Sequence, residues 1–161
     1  MFAVLTERTE EIKRFRATPW LFQQTFLTPL KDLNRFVSTF LEQFSLEKGA
    51  LSTDQVVFEP QNLLGLLANQ SLSVDNYYDL KIEALGKPEI ANLLSAALGD
   101  WVDFVFVPSP EVIAIYTDHD EYTTFYARDE ATLKTLSSRL ETAGFKAVAN
   151  YIRGSSGDRW R

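Results

Sequence analysis

The 161-residue chain contains no cysteine. Disulfides, thiolate metal sites and a cysteine nucleophile are therefore excluded, and a reducing, cytoplasmic setting is expected. Histidine occurs once, at His119, so a histidine-rich metal site cannot assemble. The seven glycines stand singly or in the C-terminal segment. No P-loop or dinucleotide fingerprint is present, so no backbone cradle for phosphate is predicted. Nor is there a Gly-x-Ser-x-Gly elbow; Gly154-Ser155-Ser156-Gly157 has the wrong spacing. Long apolar runs are lacking too. No stretch approaches the roughly 18 apolar residues of a membrane span. The apolar start Met1–Leu5 is broken by Glu7, Arg8, Glu10 and Glu11, so no signal peptide is expected. Positive charge is scarce, with a pI near 4.8. That argues against nucleic acid, whose phosphates must be neutralised by many bases.

Negative charge is abundant and localised. Between Asp100 and Glu130 lie Asp100, Asp103, Glu111, Asp118, Asp120, Glu121, Asp129 and Glu130, against the single base Arg128. The net of that stretch is -7, in a chain whose total is -6. A field of this kind steers cationic partners. Hydrophobic residues make up 45% and aromatics 13%, enough for a sizeable core. No linker or composition break divides the chain, so one domain is expected over 1–161. It reads as helix-rich in 1–99, sheet plus helix in 100–153, and a frayed tail in 154–161.

Local patterns refine this outline. Glu10 and Glu11 precede Lys13 and Arg14 at helical spacing and predict a short exposed helix. Thr18-Pro19 and Thr28-Pro29 each read as an N-cap followed by a first helical residue. From Leu30 the apolar positions Leu33, Phe36, Val37, Phe40, Leu41 and Phe44 fall on one helical face. The Trp20–Phe44 stretch carries six large aromatics, which read either as core or as a groove for a partner or a second copy. Lys48-Gly49 marks a break, and Val56-Val57-Phe58 a short strand. Pro60 opens a helix. Alternation at Tyr78, Leu80, Ile82 and Ala84 predicts a strand. Pro88 begins a helix that Gly99 is positioned to cap.

The last third predicts strands at Val102–Val107, Val112–Tyr116 and Tyr122–Ala127, with Pro108-Ser109-Pro110 as a turn outside any ladder. Asp118-His119-Asp120-Glu121 forms the tip of the second hairpin. Asp129 caps a helix that Gly144 ends, and Lys146–Ile152 is a final strand. The fold class is therefore α+β: a helical N-terminal part packed with a C-terminal antiparallel sheet of β-β-β-α-β order.

The functional reading follows from the tip. Asp103, Tyr116, Asp118, His119, Asp120, Glu121 and Tyr122 form a candidate surface in which rings supply rigid contact area and acids select a basic partner. The leading expectation is a non-enzymatic module that docks a basic protein, in concrete form an inhibitor or immunity protein against a cationic toxin or nuclease. An alternative is a metal-dependent or acid/base hydrolase using Asp118, His119, Asp120 and Glu121. Consecutive strand residues point to opposite sides, however, and a hairpin tip is poorly sheltered for catalysis. A third reading is a homo-oligomeric subunit joined through Trp20–Phe44. No catalytic residue, metal ligand or cofactor is assigned.

Overall fold

The computed structural model describes residues 1–149, and they build one antiparallel sheet with helices on both faces. In chain order the elements are β1 (Ala3–Leu5), α1 (Arg8–Ala17), β2 (Phe22–Leu27), α2 (Leu33–Leu41), β3 (Lys48–Gln55) and α3 (Gln61–Ala68). They continue with β4 (Lys81–Leu85), α4 (Gly86–Gly99), β5 (Asp103–Ser109), β6 (Ile113–Asp118), β7 (Tyr122–Ala127) and α5 (Glu130–Thr142). The strand order across the sheet is β1-β4-β3-β5-β6-β7-β2. No helix among the described residues is long and apolar enough to cross a membrane.

The α+β class is as expected, but the division of labour along the chain is not. Residues 1–99 supply four of the seven strands. Thr18-Pro19 leads into β2, not into a helix. Phe22, Gln24 and Phe26 alternate with Gln23, Thr25 and Leu27, a period of two that becomes decisive once β7 lies alongside. The opposed hydroxyls of Thr25 and Thr124, 2.7 Å apart and fully buried, pin that register. Lys48-Gly49 begins β3 instead of ending a unit, and the strand expected at Val56-Val57-Phe58 lies just past its end. β3 is central, flanked by β4 and β5, which explains a strand with little β propensity of its own. Gly49 is required there: a Cβ would sit 2.2 Å from the Phe106 ring. Pro108 pairs with Gly49 inside the ladder, against the expectation of a turn at that position.

The β5-β6-β7-α5 order of the last third is observed. Of the strand expected over Lys146–Ile152, residues 146–149 form no strand and make only an isolated bridge from Ala147 to Phe26; residues 150–152 and the tail lie outside the described residues.

β5 shows why the sheet has two apolar faces. Phe104 and Phe106 point into the larger core, shared with α2, α3, α4 and α5. Val105 and Val107 point into a smaller cluster under α1, with Ile12, Phe15, Tyr116 and Tyr126. Burying one such side chain contributes roughly 1.5–3 kcal/mol. The aromatics of the 20–44 stretch belong to these layers: Phe26, Phe36, Phe40 and Phe44 are buried in the main core, and Trp20 packs on the α1 side.

Candidate partner-binding surface

The β6–β7 hairpin turns where Asp118 opposes Tyr122, leaving His119, Asp120 and Glu121 as a three-residue loop. The Glu121 amide donates to the Asp118 carbonyl at 3.2 Å, and Glu121 takes a left-handed backbone with φ 70°. This is a turn with a left-handed third residue, where glycine is the usual occupant. The Asp118 carboxylate accepts from the amides of Asp120 (2.9 Å) and Tyr122 (3.3 Å) and so holds the loop closed.

His119 is anchored to Asp103 at the start of β5. One Asp103 oxygen accepts from the His119 amide at 2.7 Å and meets the ring Nδ1 at 2.9 Å. Burial pushes the Asp103 carboxyl up, against the His119 hydrogen bonds that favour its ionised form. The bond to Asp103 pushes His119 above its ordinary value, with burial opposing. Tyr116 faces away from this loop. It is buried beneath α1, stacks on Phe15, and its hydroxyl donates to Asp54 at 2.7 Å. Tyr122 is half-buried at the base of the turn. Of the seven predicted residues, Asp103, Asp118, His119, Asp120, Glu121 and Tyr122 therefore meet at one end of the sheet. Tyr116 is turned away beneath α1.

The eight acids do not share one face, and on this point the sequence expectation needs correction. Glu111 sits at the opposite end of the sheet, held by Arg14 and Arg128. Glu130 pairs with Lys134 at 2.8 Å, and Asp129 caps α5 through the Thr132 amide. The other five lie on the hairpin side, where the compensation differs. Asp100 and Asp118 accept from backbone amides, which hold their carboxylates in place. Asp120, 74% exposed in its side chain, lies 3.9 Å from His119. Among the described residues, no lysine or arginine lies within ion-pair distance of Asp120 or Glu121. Arg8 and Arg16 stand at the same end of the sheet, on the Thr53 and Asp54 carbonyls and the Asp54 carboxylate of β3.

Sequence reading missed the aromatic half of this surface. The α4 helix ends in a Schellman motif: the Val102 amide donates to the Ala97 carbonyl, and the Trp101 amide to that of Leu98. The left-handed position of that motif is normally glycine. Here it is Trp101, with φ 62°, while the expected cap Gly99 is the last helical residue. Trp101 and Glu121 line the same small crevice, so two left-handed residues that are not glycine stand side by side. The Trp101 ring also meets Phe58, which is 58% exposed, edge-to-face at 6.4 Å. Asp100 fixes their relation by capping α3 through the amides of Asn62 (3.1 Å) and Leu63 (2.8 Å). Nothing in the local sequence marks Phe58 and Trp101 as neighbours; β3 and α4 bring them together.

Among the described residues, no three His, Cys, Asp or Glu side chains are grouped to hold a metal ion. Searches against family models, curated proteins and solved structures gave no match to this chain.

Proposed function

We propose that this chain is a non-enzymatic protein-binding module that docks a basic protein partner through the hairpin end of its sheet. The observation that carries the proposal is the side-by-side placement of Trp101 and Glu121 in left-handed backbone, next to Asp120, which has no lysine or arginine within ion-pair distance among the described residues. Left-handed backbone costs an ordinary residue roughly 1–2 kcal/mol. Such strain clusters where a surface has been shaped for use. Exposed rings beside unneutralised carboxylates are suited to a cationic protein surface: the rings give contact area, the acids give selection and rate. An inhibitor or immunity protein that covers a cationic toxin or nuclease is the concrete form of this reading. A chain without cysteine suits a reducing compartment such as the cytoplasm.

The test compares two charge-matched variants as baits in the native extract. Asp120→Asn with Glu121→Gln removes two charges at the hairpin end. Glu47→Gln with Glu130→Gln removes two at the opposite end. A basic protein retained by wild type and by the second variant, and lost by the first, is the expected result. Its purified form should associate with wild type roughly 10- to 10³-fold faster at low salt than without steering, and the first variant should flatten that salt dependence. Equal retention and equal association rates for the two variants would remove the proposal.

A further inference from the structure

The cleft beside Trp101 carries the docking surface one step further. Its volume is about 450 Å³, room for a partner's side chain and not for a folded element. Phe58 and Trp101 form two of its walls, with their planes at 80°. The lining includes the carboxylates Glu59 and Asp100 and no base. Asp100 is buried with both oxygens engaged by α3 amides; burial pushes its carboxyl up, and those amide bonds favour the ionised form. Glu59 is exposed at the rim.

We infer that this cleft is the anchor pocket for an arginine side chain of the basic partner, an assignment that rests on the docking reading above. A guanidinium is flat and weakly hydrated. It can stack on one ring while its edge N–H groups stay directed at carboxylates; an ammonium would have to shed tightly held water to do the same. The chain already uses this contact elsewhere. Arg35 lies over the Phe145 ring at 4.5 Å, and Arg128 over Trp20 at 5.0 Å. Among the described residues, the Phe58–Trp101 pair has no such cation of its own. An arginine therefore completes a pattern of rings and acids for which this cleft supplies everything except the cation.

The experiment uses three synthetic peptides of equal length, Gly-Ser-Arg, Gly-Ser-Lys and Gly-Ser-Leu repeats, titrated into the full chain. The readout is the set of indole N–H resonances, assigned with a Trp101→Gly variant whose backbone suits the left-handed position. The arginine peptide should bind roughly two- to fivefold tighter than the lysine peptide. It should move the Trp101 resonance and leave that of Trp20 in place. Trp101→Gly should abolish the arginine preference yet keep lysine-peptide binding, whereas Asp120→Asn with Glu121→Gln should weaken both cationic peptides alike. Equal binding of arginine and lysine peptides with the Trp101 resonance unmoved would overturn the arginine pocket and leave acidic docking intact. Stronger movement by the leucine peptide would also overturn the pocket, in favour of an apolar anchor. Binding by neither cationic peptide would sink both readings.

Discussion

Replacing Trp101 by glycine and by alanine, in parallel, isolates the backbone strain at the centre of the site. Both variants lose the indole, so the difference between them reports the conformation of residue 101 alone. An L-residue in the left-handed region costs about 1–2 kcal/mol, which glycine avoids. Glycine gives back roughly 0.5–1 kcal/mol through the greater freedom of its unfolded chain. The balance favours Trp101→Gly over Trp101→Ala by about 1 kcal/mol. For a domain of this size that is a gap of about 2–4 °C in thermal midpoint. The sign is what makes the comparison decisive. At an exposed site inside a helix, alanine is the better residue by about 1 kcal/mol. Residue 101 follows the helical turn of Asp100, so a fraying of one residue in the opposite sense would restore the helical preference. The assay is urea and thermal unfolding followed by circular dichroism, with equal m-values required of the two variants. Alanine equal to or more stable than glycine would refute both the left-handed cap and the argument that this position is strained for a purpose.

Two further outcomes test the structure around the site. Gly49→Ala should destabilise by about 1–3 kcal/mol, because the new methyl would press on the fully buried Phe106 ring. Adding Phe106→Leu should recover part of that loss, and strictly additive unfolding energies would contradict the contact. His119 is the chain's one histidine, so its ring resonance is unambiguous in a pH titration. It should titrate above its ordinary 6.5, and Asp103→Asn should bring it back towards that value. The protonated ring, facing Asp103, Asp118 and Asp120, is the form that the fold favours. Its stabilisation is therefore complete below the unfolded value and is lost as pH rises through the raised folded one. A titration at or below 6.5 in the wild type would contradict the pairing.

Much of this fold was legible because many of its signals are local. Pro60 and Pro88 lie at the start of α3 and α4, Asp129 caps α5, and Gly144 ends it with φ 95°. The β6–β7 tip was readable from four consecutive polar residues between two β-rich runs. β2 and β3 were not, because what makes them strands lies elsewhere in the chain. Phe22–Leu27 becomes a strand when β7 offers the Thr123 and Thr124 hydroxyls and a free edge. Lys48–Gln55 holds a glycine and an aspartate, and does so only by lying between β4 and β5. The site was half legible for the same reason. The loop residues are contiguous, but Phe58 and Trp101 are 43 positions apart in sequence and meet only at the junction of α3 and α4. Tyr116 was misplaced because alternation fixes which face it takes and says nothing of α1 lying across it.

A count of charges along a sequence overstates the field that a partner meets, because folding pairs some of the acids with bases. At the end away from the hairpin, Glu111 and Glu130 face Arg14, Arg128 and Lys134, so their fields cancel within a few ångströms. At the hairpin end the acids are held by backbone amides. An amide satisfies a carboxylate's lone pairs and fixes its position, but it leaves the unit charge in place. Asp118 closes the loop and Asp100 starts α3 by that means. The protonated His119 ring partly offsets Asp103. Bases also stand at the hairpin end, where Arg8 holds the Thr53 and Asp54 carbonyls and Arg16 pairs with Asp54, while peptide amides hold Asp100 and Asp118. The exposed rings of Phe58 and Trp101 stand at this same end, Trp101 sharing a crevice with Glu121.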